Sequence, residues 1–242
     1  MSIKLNEQTF QSFQQLFQHE GVSFCEKPLS ELDIPSAHQI IDQLYSPEER
    51  FAQGFFKYRV DVLKNPEQLA WKNTLEELEH YKETLKANLD DPCVYTVGTE
   101  TETTEGKTYT PVGIYCMRNL KDHERGNELE EALQSLGIAD NFLGKKMIVH
   151  SFSLLKDFRN LSMLKFIFIA IGLKAIKQQT EHIFFFMSDY RLKSIYTRYG
   201  LVFPTDLKFR NSEHVIGCYS LTEANMLTLL QEIDKIAANK DD

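Results

Sequence analysis

The stretch KMIVHSFSLLKDFRNLSMLKFIFIAIGLKAIKQQTEHIFFFMS, residues 146–188, decides the fold of this chain. Its first part is rich in Val, Ile and Phe and predicts a strand over residues 145–155. Apolar residues then recur at helical spacing and predict a helix over residues 160–180. The apolar run at 182–188 predicts a short strand buried in a parallel sheet. A strand, a helix and a second strand in one sheet form a right-handed parallel crossover, so the sequence predicts an α/β fold.

Further elements flank this crossover on both sides. Before it, Val, Thr, Tyr and Ile predict two strands joined by a turn at Glu105-Gly106. After it, Gly200 ends a short predicted helix, and Ser220-Leu221-Thr222-Glu223 has the pattern of a capping box that opens a terminal helix. In chain order, these elements are strands 93–104 and 107–120, helix 126–136, helix 191–199, strands 201–203, 208–209 and 215–220, and the terminal helix.

The first 91 residues show helix signals and few strand signals. Helix starts are marked by Ser46-Pro47-Glu48-Glu49 and by Asn65-Pro66-Glu67-Gln68, because each places a capping residue before Pro. Glu48 and Glu49 are interpreted here as solvated charge on a helix face. The chain is therefore predicted to divide into a mostly helical region, 1–91, partly packing on the core, and an α/β domain with a C-terminal helix, 92–242.

Composition limits the function classes. The 242 residues are 42% apolar and carry a formal net charge of -8, which argues against nucleic acid as a partner. The apolar helix at 161–176 contains Lys165 and Lys174 and is too short for a membrane span. The four cysteines form no CxxC pair, and the first residues do not resemble a secretory signal, so we expect a cytoplasmic protein without a metal site. Motifs of P-loop enzymes, serine hydrolases, zincins and dinucleotide oxidoreductases are absent from the sequence.

Two segments carry a resemblance to a known family. Residues 154–164, LLKDFRNLSML, are similar to the loop that follows the fourth strand of the GNAT acyltransferase superfamily, V-x-P-x-Y-R-x-x-G-x-G. Residues 196–201, YTRYGL, match the spacing of that family's Y-x-x-x-G-F, which follows its fifth strand. The resemblance implies a mixed sheet flanked by helices, with a parallel pair (the family's β4 and β5, here 145–155 and 182–188) that splays apart. The helices of residues 1–91 would be an extension of that fold.

The chain departs from the family in the glycine-rich loop. Ser162 and Leu164 replace its glycines, and a Cβ at those positions crowds the coenzyme A diphosphate. The acyl-homoserine lactone synthases and N-acyl amino acid synthases are GNAT-like enzymes with weaker versions of this loop, and they can take their acyl group from acyl carrier protein. FFKYRVDVL, residues 55–63, faintly resembles their Arg-Tyr-x-Val segment. The donor implied is therefore acyl-CoA or the phosphopantetheine thioester of acyl carrier protein.

Two residues are candidates for catalysis, one from the resemblance and one from its position on a strand. Tyr196 occupies the position of the family's acid for the departing thiolate, with packing of a helix on the sheet as the alternative role. His150 lies on the strand 145–155, four residues before Leu154, and is expected on the same face. It is a candidate general base for the amine, and a hydrogen-bonded core histidine is the alternative.

The remaining site residues would bind the donor. Arg159 is expected to contact a phosphate, with a solvated surface arginine as the alternative. Leu154 and Leu155 are expected to hydrogen-bond the pantetheine arm through their backbones. The family often shows an Asn between its fifth strand and the Y-x-x-x-G-F segment, and Asp189, which occupies that place here, is assigned to the same site. The loop N–H groups are assigned to four consecutive residues, Asn160, Leu161, Ser162 and Met163.

Three interpretations follow from these patterns. The first is an N-acyltransferase that acts on an amine of a small molecule or a protein, with acyl carrier protein as a candidate partner. The second is a catalytically inactive GNAT-like binding or regulatory module, which the replaced glycines favour. The third is another α/β fold, whose sheet would lack the splay. The sequence does not identify the acceptor or the acyl chain length, and unpaired strand edges make a homodimer a reasonable expectation.

Overall fold

One mixed sheet of seven strands organises the computed structural model, with the strands in chain order across it. The structure describes residues 18–19, 22–52, 69–123, 126–159, 161–187, 201–203 and 215–222, together with residues 197, 224, 225, 228 and 231. The strands are β1 (Gln18–His19), β2 (Val22–Pro28), β3 (Val94–Thr103), β4 (Gly106–Asn119), β5 (Lys146–Leu154), β6 (His182–Met187) and β7 (Val215–Ser220). Among these strands only β5 and β6 run parallel, and every other neighbouring pair is antiparallel.

Helices cover both faces of the sheet. They are α1 (Ile34–Leu44), α2 (Pro47–Ala52), α3 (Leu69–Ala87), α4 (Gly126–Ser135) and α5 (Leu161–Lys177). The crossover helix α5 packs on one face with residues of β3 to β7. On the other face, α1 and α3 cover β3 and β4, while α4 covers β5 to β7. The predicted α/β class, with a mixed sheet flanked by helices, is confirmed.

The parallel pair parts before either strand ends. Pairing runs from Lys146 with His182 to Val149 with Phe185. Beyond this point His150, Ser153 and Leu154 of β5 pair only with β4, and the last two residues of β6 pair only with β7. The expected splay is therefore present, and the space between the parted carboxyl ends of β5 and β6 is called the cleft below. An α/β fold without a splay, the third interpretation, is excluded.

The N-terminal region contains a strand that the sequence did not predict. β2 pairs with β3 along its whole length, from Val22 opposite Thr101 to Pro28 opposite Tyr95. The boundary between residues 91 and 92 stays a prediction, but β2 extends the same sheet, and α1 shares a core with β4. The predicted helix 191–199, strand 208–209 and terminal helix lie largely outside the described residues, as does segment 55–63. None of the described helices has the length and apolar character needed to cross a membrane.

Candidate functional site

A β-bulge in β5 shapes the wall of the cleft. Ile114 of β4 lies opposite Ser153, and Cys116 lies opposite His150, so one residue of β4 faces two of β5. Ser151, inside the bulge, has a φ of 55°, a backbone conformation that is uncommon for residues other than glycine. The bulge thus places an unusual backbone conformation where β5 leaves β6.

The bulge overturns the expected placement of His150. Directly opposed residues of an antiparallel pair point to one face, so His150 shares the face of Cys116, which packs with α1 and α3. Leu154 packs on the other face, in the core formed with α5. The prediction that His150 and Leu154 share a face is therefore wrong, because the extra residue of the bulge reverses the alternation of side chains.

His150 has polar and aromatic neighbours on its own face. Its Nδ1 lies 2.9 Å from the Ser151 Oγ, and its ring stands edge-on to His123 with 4.6 Å between ring centroids. The imidazole is half-buried next to the point where β5 and β6 part. The general-base role of His150 stays a prediction. Because the side chain lies on the α1 side of the sheet, this role requires the amine to bind on that side.

The turn after β5 ends at Arg159, whose side chain folds back onto that strand. Residues Lys156–Phe158 form a short 3-10 helix, and the next residue, Arg159, donates from Nε to the Leu154 carbonyl at 2.9 Å. The Leu155 N–H donates to the carbonyl of Val112 at 2.8 Å. Two of the backbone groups expected to bind a pantetheine arm are thus already hydrogen-bonded within the chain.

Arg159 also contacts an N-terminal helix. Its guanidinium donates to the carboxylate of Glu49 on α2, and the two side chains are 25% and 17% exposed. Burial lowers the pKa of the Arg159 guanidinium below its usual value. The interpretation of Glu49 as solvated helix-face charge is wrong, because this carboxylate has a cationic partner beside the cleft. No local pattern in the sequence indicates the pair, since its members lie 110 residues apart.

The first turn of α5 contains both an exposed and a buried member of the predicted donor site. Ser162 is exposed in the first turn of α5, and Met163 is fully buried in the core. Leu161 begins the helix. Asn160, Asp189 and Tyr196 lie outside the described residues, so their predicted roles stay predictions.

Two tyrosines that sequence reasoning missed support the bulge. The Tyr45 hydroxyl, at the end of α1, donates to the Ser151 carbonyl at 3.3 Å. Its ring lies 5.2 Å from that of Tyr81 on α3, measured between centroids. Burial raises the pKa of the Tyr81 phenol well above its usual value, so Tyr81 is neutral. The hydrogen bond of Tyr45 connects α1 to the bulge. Because the bonded residues are far apart in the sequence, no local pattern indicates this contact.

Comparisons with known proteins find similarity in structure alone. No protein-family model matches the chain, and neither does any curated protein. A GNAT-family acetyltransferase from Listeria monocytogenes is 18% identical over 84% of this chain and 98% of its own, with a TM-score of 0.48. FeeM, an N-acyl amino acid synthase from uncultured soil microbes, is 11% identical over 85% of this chain and 94% of its own, with a TM-score of 0.49.

A third similar structure is an agmatine N-acetyltransferase mutant, 13% identical over 82% of this chain and 99% of its own, with a TM-score of 0.46. Similarities of this size assign neither a donor nor an acceptor. The chain's own sheet is more informative, because it is mixed and has the single described parallel pair and the splay expected from the sequence. By this topology, the chain has the fold of the GNAT acyltransferases.

Proposed function

We propose that the chain is a cytosolic N-acyltransferase that moves an acyl group from a thioester donor to an amine. The observation that carries the proposal is the cleft where β5 parts from β6, with Arg159 hydrogen-bonded to the end of β5. Strands that part in this way leave room for an extended ligand beside the sheet. The neighbouring guanidinium keeps N–H donors beyond those that bond Leu154 and Glu49, and these can bind a phosphate.

The proposed reaction develops negative charge on the carbonyl oxygen and requires two proton transfers. The neutral amine attacks the thioester carbonyl carbon, a C–N bond forms, and the carbonyl oxygen carries negative charge. The C–S bond then breaks, and the departing thiolate takes a proton from Tyr196. The proton lost by the amine passes to His150 in its neutral form.

The role of His150 predicts a pH dependence. We expect the plot of kcat/KM against pH to fall on the acid side near neutrality, where a histidine base becomes protonated. His150→Gln should remove this limb and lower kcat/KM by roughly 10²-fold or more. The matched control is His182→Gln, because His182 lies on β6 and bonds Ser220 and Leu143 at the other end of the parallel pair. An unchanged acid limb in the His150 variant would contradict the role.

Donor binding tests the function directly. Acetyl-CoA, a long-chain acyl-CoA and acylated acyl carrier protein are added separately, and the unfolding temperature is measured. A ligand at about 100 times its Kd stabilises the folded state by about 2.7 kcal/mol, which is readily detected. Release of free thiol in the presence of a panel of amines then measures transfer.

The alternative function is a catalytically inactive binding or regulatory module, which Ser162 and Leu164 in place of glycines favour. No thermal shift with any donor would support it. Thiol release that depends on an added amine would exclude it and would also identify the acceptor class. A homodimer stays an expectation that the mass in solution tests.

A further inference from the structure

The ion pair between Glu49 and Arg159 lies at the end of β5, where Arg159 also donates to the Leu154 carbonyl. Pro47 opens α2, and the Glu49 N–H donates to the Ser46 Oγ at 3.1 Å, which fixes the first turn of the helix. This turn places the Glu49 carboxylate against the guanidinium that also holds the Leu154 carbonyl. Arg159 is therefore fixed from two sides, and its positive charge is neutralised before any donor arrives.

The described charges of the turn before Arg159 do not replace the cation that Glu49 neutralises. Lys156 and Asp157, in the 3-10 turn before Arg159, are both exposed and carry opposite charges. A phosphate that approaches Arg159 therefore meets the Glu49 carboxylate at close range, in a half-buried place where charges are screened less than on the surface. Repulsion by this carboxylate grows with the number of negative charges on the ligand.

Thioester donors differ in this number. Coenzyme A carries a diphosphate and a further phosphate on its ribose, whereas phosphopantetheine on a carrier protein presents a single phosphodiester. The carboxylate of Glu49 therefore repels coenzyme A more strongly than it repels carrier-bound phosphopantetheine. The exposed Ser162 replaces a glycine of the family's loop, and its side chain leaves less space for a diphosphate. This steric effect also disfavours coenzyme A.

We propose that Glu49 is a donor-specificity residue: by holding Arg159 it disfavours nucleotide-linked donors with a diphosphate and favours donors with a single phosphate. This inference rests on the proposed acyl transfer, because it concerns the donor of that reaction. Glu49 does not act on the reacting atoms. It decides which phosphate group Arg159 can accept.

The test compares Glu49→Gln with Glu48→Gln by calorimetric titration at constant pH and ionic strength. Glu48 is an exposed neighbour on the same helix, so its variant makes the same change in net charge without freeing Arg159. The ligands are inorganic pyrophosphate, coenzyme A and phosphopantetheine in the form of a phosphodiester, which carries one negative charge like the carrier-bound form. We expect Glu49→Gln to raise affinity for pyrophosphate and coenzyme A about tenfold, which corresponds to about 1.4 kcal/mol, and to change phosphopantetheine affinity much less.

Two further variants sharpen the comparison. The double variant Glu49→Gln with Arg159→Gln should lose the gain, because the freed guanidinium is its cause. If Glu49→Gln unfolds at the titration temperature, Glu49→Ala replaces it, with Glu48→Ala as its control. Equal gains in the Glu48 and Glu49 variants, or equal gains for all three ligands, would overturn the proposal.

The titration also separates this proposal from the proposed function. If coenzyme A and phosphopantetheine both bind but keep the same affinity ratio in the Glu49 variant, the specificity role is wrong and acyl transfer stands. If pyrophosphate binding improves while neither pantetheine compound binds any variant, the site is not a thioester donor site, and both proposals fail.

Discussion

Replacing Lys174 with Met is expected to lower the free energy of unfolding by about 3–5 kcal/mol, because it leaves a buried carboxylate without its cation. The Lys174 ammonium, in the last turn of α5, contacts the Glu26 carboxylate on β2 and lies 3.1 Å from the Tyr115 hydroxyl. It also stands 3.0 Å from the centroid of the Tyr95 ring. The Tyr115 hydroxyl donates to the second oxygen of Glu26. The lysine and glutamate side chains are only 15% and 14% exposed.

Two properties of this cluster make the expected loss large. Burial lowers the pKa of Lys174, while the neighbouring Glu26 acts to raise it. Burial likewise raises the pKa of Tyr115 far above its usual value, so the phenol stays protonated and donates to Glu26. Removing the ammonium leaves Glu26 with one neutral donor in place of an ion pair, and its charge remains half-buried.

Urea denaturation measures the effect against a matched variant. Lys177→Met makes the same change one turn further along α5, at an exposed position, and should cost less than about 0.5 kcal/mol. Replacing both members of the pair, Glu26→Leu with Lys174→Met, should recover much of the loss, because an apolar pair of similar volume often replaces a buried ion pair without cost. Equal destabilisation by Lys174→Met and Lys177→Met would show that the pair contributes nothing specific.

Tyr196→Phe is expected to lower the rate of acyl transfer by roughly 10²-fold or more, because the variant cannot donate a proton to the leaving thiolate. The expectation rests on the sequence resemblance, since Tyr196 lies outside the described residues. The loss should appear in kcat, while donor affinity stays close to that of the unaltered chain, because the proton is transferred only as the C–S bond breaks.

Tyr199→Phe is the matched control, since it removes a hydroxyl from the same predicted helix at a position without a predicted catalytic role. Donors with more acidic thiols provide a second comparison, because a better leaving group depends less on an acid. We expect Tyr196→Phe to transfer acyl groups from such activated thioesters with a much smaller loss. Unchanged kcat with the natural thioester would remove Tyr196 from the mechanism.

Regular local patterns allowed much of the sheet to be predicted. The alternating and apolar segments that became β3, β4, β5 and β6 were recognised, as was the helix between the last two. In these elements the spacing of apolar residues along the sequence matches the spacing of buried positions, and turn or capping residues mark the ends. The parallel crossover followed from chain order alone.

β2 was missed because its sequence does not show its environment. Glu26 and Lys27 interrupt its apolar residues, and Pro28 ends it. Glu26 is compatible with the sheet only because Lys174 neutralises it, and that partner lies 148 residues away. A charged residue in a strand is usually evidence of exposure, and nothing local to residues 22–28 indicates the opposite.

The candidate site was the least predictable part, again because the partners of its residues lie far away in the sequence. The reversal of faces at His150 depends on a bulge at Ser151, where the sequence has no glycine to signal a positive φ. The engagement of Arg159 depends on a glutamate in a different helix. Local sequence identified which residues flank the cleft, whereas their orientation and partners are set by contacts between distant segments.

The distance in sequence between β2 and α5 also affects how the chain can fold during synthesis. A growing chain that has not yet reached residue 174 lacks the ammonium that Glu26 requires in the interior. Closure of β2 onto β3 therefore buries an uncompensated charge until α5 has been made and has packed on the sheet. β2 is thus made before α5 but reaches its final place only after α5 has packed, and β3 exposes an open edge until then.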